Sequence, residues 1–184
     1  MAIIENVRVK SCKIDEPNDN DKFQLIFAID DKKKRKELVA AIDNDWDENK
    51  GNLKNKAKKP SNLGYFEAES NEDYPDDEDT GTIIFIATRN ATTQAGKAQK
   101  VPVFKANGNE YEEIPNIGKG TIINLSTDCY TWEYKKNAGT KLNLNKIQVL
   151  ELHEYSGGDT FNAVEGFKDD EPKKKKKGKK KKKD

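Results

Sequence analysis

GKGTIINLSTDCYTWEYKKNAGTKLNLNKIQVLEL, residues Gly118–Leu152, decides how this chain folds. Two extended runs, Thr121–Lys136 and Lys141–His153, flank a short polar stretch. Asn137 and Gly139 mark a turn within Lys136–Thr140, so the pattern predicts a long β-hairpin. In the first run, successive side chains point to opposite faces. Ile123, Leu125, Thr127, Cys129 and Thr131 share one face. Tyr130, Trp132 and Tyr134 share the other, followed by Lys135 and Lys136.

Three rings on one face have two readings. They form a stacking platform for unpaired bases, because every base has a π-face. Alternatively they fill a barrel interior, where alternating large side chains also belong. The pattern leaves both open.

Upstream of the hairpin, Val7–Ile14 alternates as a half-buried strand, and a turn follows at Glu16–Asp21. Phe23, Leu25, Phe27 and Ile29 recur every second residue, giving a second strand. Leu38, Ile42 and Trp46 then fall at intervals of four, the stripe of an amphipathic helix, with Asp30 or Asp31 as its cap. Lys32–Lys36 occupy the helix start, where positive charge opposes the helix dipole. They are either a solvated start or a phosphate-contacting patch.

Thr82–Arg89 reads as an apolar strand. Val101–Lys105 and Glu110–Ile114 flank Asn107-Gly108, a strong hairpin signal. The prediction is therefore a mainly β chain: an OB-fold-like small β-barrel of about 5–7 strands with one inserted helix. One domain spans residues 1–167, with mobile segments near 47–64 and 70–80. Residues 168–184 form a disordered, lysine-rich basic tail.

Charge is partitioned along the chain. Residues 173–184 hold ten lysines and one aspartate. Of the chain's 34 basic and 33 acidic residues, 24 basic and 32 acidic ones therefore remain in the body. A dense, flexible polycation attracts polyanions through counterion release, so nucleic acid is the first partner to consider. Hydrophobic residues are only 33% of the chain, but the polar stretches are confined to the tail and two loops. The rest suffices for one small core. No stretch approaches the ~18 apolar residues of a membrane span, and the N-terminus lacks a signal peptide's apolar centre. Cys12 and Cys129 are expected as reduced thiols in a cytosol.

Few other residues point to chemistry. Arg89, Lys97 and Lys100, with Phe104, surround the loop after the Thr82–Arg89 strand and are candidates to line a groove beside the aromatic face. The acidic run Glu72–Asp79 lacks the alternation and glycine of a calcium-binding loop. It is expected to be a solvated loop or a counter-charge for the tail. No nucleophile elbow or phosphate-cradling glycine motif occurs, and lone His153 reads as structural. No catalytic residue, metal or other cofactor is expected.

The order of features resembles a known family. Early strands precede a short helix, and Tyr74–Ile86 runs YPDDED into an apolar strand. Gly118–Leu152 then supplies an aromatic strand, an Asn/Gly turn and a closing Leu-Asn-x-Ile-Gln strand. Across residues 5–153 the chain is similar to the phage single-stranded-DNA-binding proteins of the OB-fold type found in short-tailed and related phages.

The resemblance implies sequence-independent coating of single-stranded DNA in phage replication, recombination or repair, in the cytoplasm of an infected bacterial host. Tyr130, Trp132 and Tyr134 would stack on bases. Arg89, Lys97, Lys100, Lys135, Lys136 and Lys141 would contact the backbone. Replication proteins such as a polymerase or helicase, and a second copy of the chain as a homodimer, are further candidate partners. Such proteins commonly end in an acidic tail, and this chain departs from that with its lysines. An RNA-binding OB protein, a metal-dependent nuclease using the acidic run and a lysine-anchored interaction module are the rival readings.

Overall fold

A computed structural model of the chain describes residues 2–69, 79 and 81–154. The elements run β1 (Ala2–Lys13), β2 (Lys22–Ala28), α1 (Lys32–Asn49), β3 (Tyr65–Glu67), β4 (Ile83–Asn90), β5 (Val103–Phe104), β6 (Ile122–Tyr134) and β7 (Asn137–Glu151). Strand order is β3-β4-β2-β1-β6-β7-β5, and β4 also pairs with β7. That extra pairing is parallel, Ala87 with Leu142 and Thr88 with Asn143. It closes β4, β2, β1, β6 and β7 into a five-stranded barrel, with β3 and β5 added outside it. Closure removes the unpaired edges of these five strands.

The alternation in each strand explains the interior. Val7 and Val9 from β1, Leu25 and Phe27 from β2, and Phe85 and Ala87 from β4 are fully buried. Ile123 and Leu125 from β6 meet Leu142, Leu144 and Ile147 from β7 in the same core. Phe27 and Phe85 stack with ring centres 5.4 Å apart. Each such side chain contributes roughly 1.5–3 kcal/mol by leaving water.

Strand β1 starts earlier than the sequence suggests. It pairs with β6 over Ala2–Arg8 and with β2 over Arg8–Lys13, and irregular register between Ile4 and Val7 breaks the alternation. Asn6 sits there with φ 55. A bulge bends a strand so that it can serve two partners, and it also hides the period of two.

Helix α1 follows the predicted stripe. Ile42 and Trp46 are buried, and the Asp31 carboxylate accepts from Lys33 N at 2.8 Å and Lys34 N at 3.0 Å. Near its C-terminal end, the Thr131 hydroxyl donates to the Asp45 carboxylate at 2.6 Å, tying the helix to the β6–β7 hairpin.

Three details depart from the sequence reading. The β6–β7 turn is Lys135-Lys136, since Tyr134 already pairs with Asn137. Lys136–Thr140 therefore mostly belongs to β7, where Ala138, Gly139 and Thr140 are buried. Glu110–Ile114 is not a strand. The turn at Asn107-Gly108 forms, but the return arm makes one bridge, Phe104 with Glu110, while β5 pairs in parallel with β7. Tyr111 and Ile114 of that arm pack against the core, while its three glutamates stay exposed. β3, short and inside a polar region, gave no period to read.

Of the segment 47–64, residues 47–49 complete α1 and 50–52 add a short 3-10 turn, and much of the remainder is held. Glu133 accepts from Lys54 N at 3.2 Å and Asn55 N at 3.1 Å, and Ser61 N donates to Ala138 O at 2.7 Å.

Candidate nucleic-acid interface

The outer face of β6 and β7 carries the aromatic series. Ile123, Leu125 and Thr127 point into the barrel, so the even-numbered residues from Asp128 onward point out. Tyr130 is 53% exposed and Tyr134 65% exposed, whereas Trp132 is half-buried. The barrel-interior reading therefore fails for both tyrosines. Lys141, opposite Tyr130 in the ladder, places its Nζ 5.4 Å from the ring centre. Lys135 places its Nζ 5.2 Å from the Tyr134 ring. Each pair combines an apolar ring with a cation at one point on the surface.

Beside Tyr130 lies a polar cleft of about 230 Å³, lined by Thr88, Arg89, Asn90, Gln99, Lys141, Asn143, Leu144 and Asn145. It sits where β4 meets β7, so barrel closure builds it. Arg89 Nη1 donates to Asn145 O at 3.3 Å. Arg89 Nε is buried and has no hydrogen-bond partner among the described residues. A buried donor without an acceptor is costly and calls for one.

Asp128 accepts from Asn143 Nδ2 at 2.8 Å and from Asn145 Nδ2, which fixes both amides at the cleft. Burial pushes the Lys141 ammonium below its ordinary pKa, the nearby charge of Lys22 pushes the same way, and Asp128 opposes them. Lys22 thus belongs to the same positive cluster.

The other predicted residues separate into groups. Lys97 and Lys100 are exposed on the loop after β4, whose Gln99 reaches the cleft and donates to Asn90 O at 3.2 Å. Lys135 and Lys136 are exposed at the hairpin tip, at the Tyr134 end of the aromatic series. Phe104 is elsewhere. It lies on β5, beyond β7, and lines a separate apolar pocket with Ile3, Asn124, Lys146 and Gln148. The sequence placed Phe104 beside Arg89 because both flank one loop, but parallel pairing of β5 to β7 carries it away.

A protein-family model described as "Enterobacter phage Enc34, ssDNA-binding protein" matches residues 1–177. The chain belongs to this family. Solved structures share the fold. The single-stranded DNA binding protein gp2.5 of bacteriophage T7 superposes with TM-score 0.60 at 19% identity, covering 86% of this chain and 88% of its own. The single-stranded DNA-binding protein of bacteriophage Enc34 gives TM-score 0.60 at 19% identity, covering 87% and 86%. The structure of the Enc34 protein in complex with ssDNA gives 0.59 at 20% identity, covering 84% and 88%. No curated protein sequence matches the chain.

For a member of this family, the residues that sequence reasoning missed are informative. Asn143 and Asn145 complete the cleft, and Lys22 adds positive charge near Lys141. The alternation in Lys141-Leu-Asn-Leu-Asn145 was the available signal, since it places 141 and 143 on the face opposite Leu142 and Leu144.

Among the described residues no group of three His, Cys, Asp or Glu side chains is placed to hold a metal ion. No described helix is long and apolar enough to cross a membrane. Most of the acidic run, Glu72–Glu78, lies outside the described residues, as does the lysine tail. Asp79 is described and is not solvated. Its side chain is 3% exposed and pairs with Arg8 at 2.8 Å and with Lys10. Burial pushes the Cys12 thiol up to about 12 and the Cys129 thiol up to about 11. Both therefore stay protonated and poorly nucleophilic near neutral pH.

Proposed function

We propose that this chain binds single-stranded DNA along the outer face of the β6–β7 hairpin, without sequence preference. The observation that supports it most is the placement of Tyr130 and Lys141 at the rim of the Arg89 cleft. There a base can stack on an exposed ring while an adjacent phosphate meets two cations. The strand would pass from Arg89, Lys97 and Lys100 over Tyr130, Trp132 and Tyr134 to Lys135 and Lys136.

Affinity in this reading comes from phosphate neutralisation and stacking, with no bond made or broken. Binding therefore weakens steeply with salt, by about 0.7 log units per log unit of salt for each phosphate neutralised. Coating and protecting single strands in phage replication, recombination or repair follows from such binding, in the cytoplasm of an infected host. Replication proteins, including a polymerase or helicase, and a second copy of the chain are the proposed protein partners. The lysine tail adds sequence-independent attraction to any polyanion.

The deciding test is a titration of the full chain, and of the chain lacking residues 173–184, against matched single-stranded DNA, duplex DNA and RNA at two salt concentrations. Both forms are expected to prefer single-stranded DNA, with a smaller salt dependence once the tail is gone. Equal binding of single-stranded and duplex DNA by the shortened chain would overturn the reading. A preference for RNA would redirect it.

A further inference from the structure

The linker between α1 and β3 contributes four cations, Lys54, Lys56, Lys58 and Lys59. The fold brings this linker onto the tip of the β6–β7 hairpin. One carboxylate, Glu133, accepts the backbone N–H groups of both Lys54 and Asn55. The Asn55 amide Nδ2 in turn donates to Asn137 O at 3.3 Å and Lys135 O at 3.5 Å. Asn55 Oδ1 accepts from Ala57 N at 3.0 Å, which shapes the next turn. The Glu133–Asn55 clasp sets two lysine-bearing segments, far apart in sequence, side by side.

Backbone conformation gives an independent reason to regard these lysines as selected for their side chains. Among the described residues four that are not glycine have φ in the left-handed region: Asn6, Asp21, Lys56 and Lys135. Asparagine and aspartate tolerate that region, whereas lysine gains nothing there and is strained. At five other such positions the chain uses glycine. It keeps lysine at these two, on either side of the clasp. Strained positions of this kind are held by the surrounding structure and cluster at binding and active sites. Among the described residues no carboxylate pairs with the ammonium groups of Lys54, Lys56, Lys58 or Lys59, and all four residues are exposed.

We propose that Lys54–Lys59, fixed by the Glu133–Asn55 clasp, forms a second binding segment for the phosphodiester backbone of single-stranded DNA. It continues the path past Tyr134 and Lys135 at the hairpin tip. The proposal rests on the single-strand reading above, and it adds a segment that the β6–β7 face does not contain. Lys56 and Lys135 hold the strand between them, and Asn55 positions both without touching it.

The test compares full-length variants binding an oligo(dT) strand across a salt series. Lys54→Gln, Lys56→Gln and Lys58→Gln together are expected to lower the salt slope by about 2 units, at ~0.7 per lost contact. The charge-matched control Lys13→Gln, Lys105→Gln and Lys119→Gln, exposed residues outside the proposed path, is expected to change it much less. Lys56→Gly removes both the strain and the cation, so its melting temperature should hold or rise while affinity falls severalfold. Asn55→Ala, with no change of charge, should also weaken binding, and should speed amide exchange at Lys54. Equal slope losses in linker and control variants, or full affinity in Lys56→Gly, would overturn the proposal and leave the β6–β7 reading intact. Failure of the parent chain to prefer oligo(dT) over duplex would instead remove both.

Discussion

Tyr130 and Lys141 face each other across the β6–β7 ladder, with the lysine ammonium 5.4 Å from the tyrosine ring centre. The pair joins the two interactions that single strands reward, a ring for the base and a cation for the phosphate. Tyr130→Ala is expected to weaken single-strand binding by ~1–3 kcal/mol, the range for one lost stack. The ring is largely exposed, so urea stability should change by less than about 0.5 kcal/mol. Titration and urea melts on the same preparation check both. Unchanged affinity would take Tyr130 off the strand's path.

Trp132 should behave differently, because it is half-buried beside its ladder partner Gly139. Trp132→Ala is expected to lower affinity and also to lower stability, by roughly half of the 1.5–3 kcal/mol that full burial of a large apolar side chain contributes. A urea midpoint equal to that of the parent would mean that the indole packs on nothing important.

The periods of two in β2, β4, β6 and β7 carried most of the fold, because each of these strands has one face in a closed core. The helix was equally readable from Leu38, Ile42 and Trp46. What stayed hidden depends on pairing between distant strands. β4–β7 closure builds the Arg89 cleft, and β5–β7 pairing removes Phe104 from it. Neither has a local signature. The two-residue turn at Lys135-Lys136 was hidden for another reason: the usual turn residues Asn137 and Gly139 lie just beyond it. Gly139 is needed for packing and not for turning, since its φ is not in the left-handed region.

That packing role can be tested. A Cβ at Gly139 would fall on the Asn62 carbonyl oxygen, which also accepts from Thr140 N at 3.0 Å. Both sides of the contact are backbone, so neither yields easily. Gly139→Ala should therefore push the 53–63 linker off β7 and cost about 2 kcal/mol, as overpacking typically does. A lowered urea midpoint with faster amide exchange at Ser61 and Thr140 is the expected result. A midpoint within error of the parent would show that the linker yields at little cost.

Asp79 predicts a pH dependence. Burial alone would raise its carboxyl pKa, but hydrogen bonds from Arg8 and Lys10, with their charges, outweigh burial and hold it below the ordinary aspartate range. Asp30, hydrogen-bonded to the same Arg8, is shifted downward as well. Each carboxyl therefore takes up a proton more readily in the unfolded chain than in the folded one. Their contribution to stability is complete above the unfolded value of about 3.9 and disappears as the pH falls through the lower folded values. Urea midpoints should hold from neutral pH to about pH 5 and drop below about pH 4. Asp79→Asn should start lower at pH 7 and fall less in acid, so the two curves draw together as the pH falls below the ordinary aspartate range. Arg8→Ala leaves a buried carboxylate with one cation fewer and should cost about 3 kcal/mol at neutral pH. Parallel pH curves for the parent and Asp79→Asn would show that the Arg8–Asp79 contact carries none of the acid sensitivity.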